Sequence, residues 1–271
     1  MTTLLTKPLK ENLISELKAN PNLTKLSFYL YSDKDNLACF YYLKGIKKLL
    51  EFLSIPYFEG FLDRKLTKEE NLSTFKEESH EKFVILARPL SISYEEDFIS
   101  SINPDYDPDM MSLLNKGKLY SGDLGYLPAT AQSVKHIIDS YSLSLKGKKC
   151  LVVGRSLTVG LPVMELINRY DGLVTLAHSK VDSQIFSLEA IESDFIFLCS
   201  GKSGLIPREF FSPEQTIIDC GFSANGGDLG FVPSDNELSA YTPVPGGVGV
   251  LTSCFLIKNA LFLLESKISK N

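Results

Sequence analysis

The chain has 271 residues, of which 44% are hydrophobic and 23% charged, the balance of a globular protein rather than a disordered one. Its formal net charge of −5, without a basic block, argues against a nucleic-acid partner and favours a small-molecule ligand. No apolar run reaches the roughly 20 residues of a membrane span, and the N-terminus lacks a signal-peptide pattern. We therefore expect a cytoplasmic protein with no membrane partner.

Neither the cysteines nor the histidines form a pattern typical of a metal site. The five cysteines are an odd number, lie in mostly apolar segments and include no CxxC pair, so we expect buried, reduced thiols. The three histidines are scattered along the chain, and we expect no bound metal. These residues are Cys39, Cys150, Cys199, Cys220 and Cys254, and His80, His136 and His178.

The first half of the chain alternates helical and strand patterns, which predicts a parallel α/β sheet. Apolar residues recur at helical spacing in two segments, and the capping-box pair Thr67 and Glu70 indicates the start of a third helix. Short apolar runs between these segments predict strands. We expect helices at 7–18, after a cap at Asp35 or Asn36, and from Thr67, and strands at 26–31, 55–58 and 82–87.

Two features of this half are candidates for a ligand cleft. The second helix should turn Tyr42 and Ile46 inward on one face, and the third strand ends in a turn at 88–90. Ligands of open α/β sheets collect beyond the carboxyl ends of the strands, which favours Tyr42 and this turn as cleft residues. A plain strand-to-helix connection is the alternative. The predicted inward stripe is Cys39, Tyr42, Ile46, Leu49, Leu50 and Leu53.

The segment 102–130 is predicted to be a long, irregular loop, because it contains three glycines and three prolines. Loops of this length are often functional, and they also mark domain junctions. Asp105, Asp107 and Asp109 suggest calcium, but the glycine and glutamate that an EF-hand loop requires are absent. We therefore expect no metal here.

The second half carries a nucleotide-binding pattern around residues 148–166. This stretch predicts a buried strand, a turn at Gly154, and a helix with Pro162 near its start. Free N–H groups at the start of such a helix favour an anionic group, phosphate above all. We expect a helix at 130–141 and strands at 150–153, 173–177, 195–199 and 216–219.

The end of the second strand of this pattern indicates the nucleotide. A chain that selects NAD places Asp or Glu there, to accept a hydrogen bond from the ribose 2′-hydroxyl. Here the strand is followed by His178, Ser179 and Lys180, and Arg155 lies in the glycine turn. These cations favour NADP, with its 2′-phosphate, over NAD. The turn GRSLTVG departs from GxGxxG, so it is a weak fingerprint by itself.

The last motif is a proline- and glycine-rich turn that begins at Tyr241 and precedes an apolar helix. Its paired Gly246 and Gly247, followed by Gly249, allow close backbone approach to a flat ligand. A glycine-rich linker returning to the first domain is the alternative, and it is compatible with the functional interpretation.

Three stretches together, in this order and spacing, resemble the methylenetetrahydrofolate dehydrogenase/cyclohydrolase family. The resemblance covers nearly the whole chain, and its C-terminal motif is the most specific. It implies two α/β domains with a cleft between them, and a place in one-carbon metabolism and purine biosynthesis. The stretches are VGRSLTVGLPV at 153–163, IIDCGF at 217–222 with GDL at 227–229, and TPVPGGVGVLT at 242–252.

The implied N-terminal domain is a three-layer α/β, folate-side domain formed by 1–125 and 250–271. The implied C-terminal domain, 126–249, is a Rossmann-type NADP-binding domain. The resemblance also implies tetrahydrofolate derivatives as substrates and a homodimer. It places the folate-site tyrosine on Tyr42 and the aspartate that holds the pterin ring on Asp109. It places cofactor contacts on Gly154, Arg155, Ser156, His178, Ser179, Gly246, Gly247 and Val248.

Several positions depart from the family pattern. The family's catalytic lysine, four residues after the tyrosine, is Ile46, and the glutamine that partners it is Ala87. The lysine before the aspartate pair is Tyr106, and the serine before the tyrosine is Cys39. A shifted helix register that turns Lys44, Lys47 or Lys48 inward is an alternative, but it would bury charge and expose Ile46.

The leading hypothesis is an NADP-dependent methylenetetrahydrofolate dehydrogenase whose cyclohydrolase activity is weak or absent. Hydride transfer mainly needs the reactants held in position, whereas hydrolysis needs an activated water and proton transfers that isoleucine and alanine cannot supply. A non-catalytic, nucleotide-binding relative that acts as a sensor or partner protein is the alternative. A third possibility is a dehydrogenase for another substrate, with Arg88 meeting an anionic group.

Overall fold

The computed structural model describes residues 1–121, 125–221 and 226–269, which form two units. Each unit is built on its own parallel β-sheet, so the predicted α/β class is confirmed. The predicted division into folate-side and nucleotide-side domains stays a prediction. The six-stranded unit comprises Met1–Asn12 and Thr130–Thr252, and the three-stranded unit comprises Leu13–Ala129 and Ser253–Asn271.

Strands and helices alternate along most of the described chain. The strands are β1 (Thr2–Thr3), β2 (Phe28–Ser32), β3 (Tyr57–Phe61), β4 (Phe83–Leu86), β5 (Lys149–Val153), β6 (Leu173–Ala177), β7 (Phe195–Leu198), β8 (Thr216–Asp219) and β9 (Ala240–Tyr241). The helices are α1 (Lys7–Ala19), α2 (Leu37–Phe52), α3 (Lys68–Glu78), α4 (Glu95–Ser101), α5 (Leu113–Ser121), α6 (Ala129–Ser140), α7 (Gly160–Arg169), α8 (Ser183–Glu192) and α9 (Val248–Ile268).

The three-stranded sheet has the order β3-β2-β4, and the three predicted strands are confirmed to within three residues. All five residues of the central strand β2 are buried, because a parallel strand is covered on both faces. Its Tyr31 ring lies 5.0 Å from the ring of Phe75 and 5.1 Å from that of Phe98. These aromatic contacts join α3 and α4 to the sheet.

Side-chain caps begin two helices of this unit where the sequence indicates. Asn36 accepts hydrogen bonds from the backbone N–H groups of Ala38 and Cys39 at the start of α2. Thr67 and Glu70 form the predicted capping box of α3. Helix α2 buries most of its predicted stripe and also Leu43, while Tyr42 is half-buried.

The expectation of an irregular loop over 102–130 is wrong for much of that segment. Pro104–Tyr106 forms a turn of 3-10 helix, and α5 follows from Leu113. The carboxylate of Asp107 accepts hydrogen bonds from the backbone N–H groups of Met111 and Ser112, just before α5. A polar side-chain anchor of this kind is not visible as an apolar periodicity, which explains the error.

The six-stranded sheet has the order β1-β9-β8-β7-β5-β6. Strands β6 and β8 have the predicted bounds, because each is a short apolar run between turn residues. Strand β5 lies between β6 and β7, so the carboxyl end of β5 is the topological switch point where ligands bind in such sheets. Strands β1 and β9, two residues each, were not predicted, and their pairing places the N-terminal residues in this unit.

Helix α9 corrects one expectation about the sequence. By length and composition alone it is apolar enough to cross a membrane, although half of its apolar window is buried inside the protein. The buried Asn259 amide donates to the backbone carbonyls of Pro108 and Leu127, and Lys258 pairs with Glu16 at 2.8 Å. These polar contacts within the three-stranded unit are those of a core helix.

Candidate functional site

A cavity of about 460 Å³ lies at the carboxyl ends of β5, β6 and β7, at the switch point of the six-stranded sheet. It contains five residues that the sequence predicts as cofactor contacts. It also contains Ser200 and Lys202, which sequence reasoning missed although they follow the third strand of the pattern. The polar lining residues are Arg155, Ser156, His178, Ser179, Ser183, Ser200 and Lys202, together with Gly154 and Cys199.

Glycine is required at two positions of the turn after β5. Gly154 has φ +119°, and a Cβ there would lie 2.4 Å from the carbonyl oxygen of Cys199. A Cβ on Gly160 would lie 2.0 Å from the carbonyl oxygen of Gly154. The N-terminus of α7 therefore packs directly on the turn, and its backbone N–H groups point toward the end of the sheet.

Ser156 is partly engaged within this turn. Its Oγ accepts hydrogen bonds from the backbone N–H groups of Val159 (3.1 Å) and Gly160 (3.3 Å). The hydroxyl proton of Ser156 is not used in either bond, so it can be donated to a ligand oxygen. Ser156 thus shapes the turn and can also contact an anion.

The side of the cavity formed by the end of β6 is cationic or neutral. Arg155, Ser179 and Lys180 are exposed, and the Nδ1 atom of His178 accepts a hydrogen bond from the backbone N–H of Lys180. The nearby Asp182 accepts bonds from two backbone N–H groups at the start of α8. Among the described lining residues there is no carboxylate that would repel a phosphate.

Two buried aspartates hold the loop that carries Ser200 and Lys202. One oxygen of Asp228 accepts from the backbone N–H groups of Ser200 and Gly201 and from the Ser200 hydroxyl. Asp219, at the end of β8, accepts from the backbone N–H groups of Asp228 and Leu229. Burial raises the pKa of Asp219, while these hydrogen bonds oppose the shift. Phe222 of the same motif lies outside the described residues.

The structure does not include Gly246, Gly247 and Val248 among the described residues that line this cavity. They lie in the same unit, immediately before and at the start of α9. The buried Thr6 hydroxyl contacts the carbonyl oxygens of Gly246 (2.7 Å) and Gly247 (2.9 Å), and a Cβ on Gly247 would lie 2.5 Å from the Pro243 carbonyl oxygen. This turn is therefore fixed by the N-terminal segment.

In the three-stranded unit, Tyr42 and Asp109 are brought close together. Burial raises the pKa of Tyr42, and the charge of Asp109 raises it further. Burial also raises the pKa of Asp109 to about 7, against the effects of a hydrogen bond from the backbone N–H of Ala129 and of the Lys116 charge. The Asp109 carboxylate thus accepts a hydrogen bond from the first residue of α6, and Asp109 lies beside Tyr42, the predicted folate-site tyrosine.

The two positions that depart most from the family pattern are apolar and buried. Ile46 is 2% exposed and Ala87 is fully buried. Lys44 and Lys48 are exposed, and Lys47 pairs with Glu59 on β3 at 3.0 Å. The alternative helix register, with one of these lysines turned inward, is therefore wrong.

The other departures have contacts of their own. The Tyr106 hydroxyl accepts a hydrogen bond from Lys267 at 2.6 Å, and the Cys39 thiol donates to the carbonyl oxygen of Pro89 at 3.5 Å. Arg88 pairs with Glu95 at 2.5 Å and lies 3.5 Å from Glu96. Since the Arg88 charge is already matched, the structure gives little support to a substrate that binds through this residue.

Comparisons of the sequence with known proteins all indicate one family. The family described as "Tetrahydrofolate dehydrogenase/cyclohydrolase, NAD(P)-binding domain" matches residues 128–268, just over half of the chain. Bifunctional protein FolD of Clostridium tetani is 32% identical over 241 residues, covering 86% of this chain and 85% of that protein. The homologue in Clostridium botulinum strain 657 is 32% identical over 272 residues, covering 95% and 94%.

A solved structure agrees over nearly the whole length. The bifunctional methylenetetrahydrofolate dehydrogenase/cyclohydrolase of Campylobacter jejuni superposes with a TM-score of 0.89 at 25% identity, covering 98% of this chain and 99% of that one. The NAD-dependent dehydrogenase of Saccharomyces cerevisiae, at 16% identity and a TM-score of 0.80, covers 100% and 99% and shares the fold. From its glycine turn, its two sheets and these matches, the chain belongs to the tetrahydrofolate dehydrogenase/cyclohydrolase family.

Proposed function

We propose that the protein is an NADP-dependent 5,10-methylenetetrahydrofolate dehydrogenase with weak or absent cyclohydrolase activity. One observation carries this proposal: the cavity at the switch point keeps its glycine turn and its cations, whereas the hydrolytic lysine and glutamine positions hold the buried Ile46 and Ala87. The glycine turn and the cations are needed to hold the nucleotide for hydride transfer. The loss of the lysine and the glutamine removes groups that only hydrolysis requires.

The residues of the cavity fit NADP. Gly154 and the start of α7 leave backbone N–H groups for the pyrophosphate, and a Cβ at Gly154 would displace this turn by colliding with the Cys199 carbonyl oxygen. Arg155, His178 and Ser179 surround the place of the 2′-phosphate, where no described carboxylate lines the cavity. When bound, NADP supplies the acceptor for a hydride from the methylene carbon.

The folate side of the reaction is assigned to Tyr42 and Asp109. In this proposal Asp109 accepts hydrogen bonds from the pterin ring, and Tyr42 borders the one-carbon unit. The turn at Gly246, Gly247 and Val248 supplies backbone near the nicotinamide and the folate. The lone pair of the folate nitrogen drives departure of the hydride, so these residues mainly hold the reacting atoms in position.

Hydrolysis of the methenyl product makes a different demand. Water must be activated and protons moved at a cationic carbon, which an ammonium and its hydrogen-bonding partner can do. Ile46 and Ala87 carry no proton to transfer and accept no hydrogen bond through their side chains.

The non-catalytic alternative is tested by the dehydrogenase assay itself, since measurable oxidation of methylenetetrahydrofolate excludes it.

The choice of nucleotide is tested by replacing Arg155 with methionine. We expect the KM for NADP to rise about tenfold while the KM for NAD changes little, because one charge-assisted contact to the 2′-phosphate is lost. Steady-state kinetics with both nucleotides measure the two ratios. Lys146→Met, an exposed lysine outside the cavity lining, is the matched control. Equal effects on NADP and NAD would remove the role assigned to Arg155.

We also propose a cytoplasmic homodimer. An exposed apolar row on α8 supports the dimer. In this row Ile185, Leu188 and Ile191 are 55%, 59% and 50% exposed. The sheet of the same unit has β6 as an edge strand. An exposed apolar row of this kind is typical of a protein interface. Sedimentation equilibrium should give twice the chain mass of 30.2 kDa, and a monomer at micromolar concentration would contradict the proposal.

A further inference from the structure

The amide of Asn259 joins two segments of the three-stranded unit to helix α9. The side chain is 3% exposed, and its Nδ2 atom lies 2.8 Å from the carbonyl oxygen of Pro108 and 2.8 Å from that of Leu127. An asparagine amide nitrogen carries two N–H donors, so one hydrogen serves each carbonyl. A single side chain therefore sets the spacing between residues 108 and 127.

The two residues held by Asn259 lie beside the ends of the Asp109 contact. Pro108 directly precedes Asp109, and Leu127 lies two residues before Ala129, whose backbone N–H donates to Asp109 Oδ1 at 2.9 Å. These bonds and the chain between them close a ring that runs from the amide through both segments and back. Because a carboxylate is planar, fixing its backbone and its Oδ1 atom also fixes the direction of Oδ2.

The neighbouring contacts of this turn do not replace the link made by Asn259. The Tyr126 hydroxyl donates to the Asp107 carbonyl oxygen at 2.7 Å, which joins the same two segments at the Asp107 end. Met110, directly after Asp109, has φ +53°, a left-handed conformation that persists in such residues only where surrounding contacts hold it. The turn is thus held at its start by Tyr126 and beside the carboxylate by Asn259.

Loss of the amide would leave two buried carbonyl oxygens without their donors. Pro108 is buried and Leu127 is 4% exposed, so water does not reach these oxygens while the two segments stay in place. A buried acceptor without a donor is costly, and the cost falls when the segments separate and admit water. Such a movement acts directly on the bond between Asp109 and Ala129, because that bond closes the ring.

We propose that Asn259 is a positioning residue of the folate site, whose buried amide holds the backbone of Pro108 and Leu127 together and so aims the Asp109 carboxylate at the pterin ring. The inference rests on the proposed function, in which Asp109 accepts hydrogen bonds from that ring. The role is indirect, since both donors of the Asn259 amide are committed to backbone carbonyls.

The test compares Asn259→Leu with Asn71→Leu, since leucine has nearly the shape of asparagine but no donor. Asn71 is a matched control, because it is 2% exposed and its amide donates to the carbonyl oxygens of Asp63 (2.9 Å) and Thr67 (3.0 Å) in the same unit. Both variants should lower the urea midpoint. Only Asn259→Leu should lower kcat/KM for methylenetetrahydrofolate, by about tenfold, with the KM for NADP within about twofold. Equal kinetic effects of the two variants would overturn the inference.

A double-mutant cycle distinguishes a role through Asp109 from a general structural role. If Asn259 acts by aiming the carboxylate, Asn259→Leu should cost little further kcat/KM in an Asp109→Ala protein. The same loss in both backgrounds would overturn the inference. Asn259→Ser keeps one hydroxyl donor and carries the same comparison if the leucine variant does not fold, with an expected loss between those of the wild type and a donor-free side chain.

Hydrogen exchange of the Ala129 amide, followed by NMR, requires no turnover and separates this inference from the proposed function. Exchange should be faster in Asn259→Leu than in the wild type and unchanged in Asn71→Leu, because only the former loosens the bond to Asp109. Faster exchange in Asn259→Leu together with a wild-type protein that does not oxidise methylenetetrahydrofolate would overturn the proposed function alone. Oxidation by the wild type together with an unchanged kcat/KM in Asn259→Leu would overturn the inference alone.

Discussion

Replacement of Asp109 by alanine should lower kcat/KM for methylenetetrahydrofolate about 100-fold while the KM for NADP stays within about twofold. The expected loss corresponds to hydrogen bonds between a carboxylate and the pterin ring, each contributing about 1.5–3 kcal/mol. The nucleotide cavity lies in the six-stranded unit, so its lining residues do not change. Steady-state kinetics with each substrate varied in turn measure both effects.

Two further variants separate binding from structure in this experiment. Asp109→Asn keeps an oxygen that can accept from the Ala129 N–H at the start of α6, so most of the kinetic loss should remain while the protein stays stable. Asp105→Ala removes an exposed carboxylate four residues earlier and should change kcat/KM little. Equal losses in the Asp105 and Asp109 variants would contradict the assignment of Asp109.

Replacement of Gly154 by alanine is expected to have the largest effect on nucleotide binding. The new Cβ would lie 2.4 Å from the Cys199 carbonyl oxygen, and the residue has φ +119°, which side chains rarely adopt. The backbone of β5 or β7 must shift, at a cost of about 3 kcal/mol in the free energy of unfolding. Urea unfolding measures this cost, and calorimetric titration with NADP should show no measurable binding.

Gly147→Ala is the matched control for this variant. Gly147 also has a positive φ, +70°, but a Cβ there would meet nothing within 4 Å. It should cost about 1 kcal/mol of stability from backbone strain and leave NADP affinity unchanged. Full NADP affinity in a folded Gly154→Ala protein would show that the turn after β5 does not hold the nucleotide.

Short apolar strands between turn residues were the most predictable part of the fold. Strands β6 and β8 begin and end where the sequence predicts, because each is a short apolar run between turn residues. The Asn36 cap and the Thr67 capping box were also predictable, since their hydrogen bonds join residues close in sequence. The turn at Gly154 was predictable for the same reason, because the glycine directly follows the short apolar run of β5.

Elements that depend on distant partners were not predictable. Strand β1 exists because Thr2–Thr3 pairs with Ala240–Tyr241, more than 200 residues away, and two residues carry no strand periodicity. Helix α5 is held by the buried Asn115 amide, which donates to the Pro104 carbonyl oxygen and the Tyr126 hydroxyl, each 11 residues away. Neither arrangement has a local sequence signal.

The residues of the candidate site also differ in how far the sequence predicts them. The turn after β5 and the residues after β6 could be identified from strand ends, whereas Ser200 and Lys202 are held in place by Asp228, 28 residues beyond Ser200. Ile46 and Ala87 could be singled out only through the family resemblance. The structure adds that both are buried and that the lysines near Ile46 point elsewhere.

Assay of both half-reactions on one preparation tests the central claim most directly. Oxidation of methylenetetrahydrofolate is followed with NADP, and hydrolysis of methenyltetrahydrofolate is followed on the same sample. Because hydride transfer relies on positioning and hydrolysis relies on proton transfer, we expect clear NADP-dependent oxidation and hydrolysis slower by at least about 100-fold, the lower range of acid–base catalysis. A hydrolysis rate comparable to the oxidation rate would contradict the account.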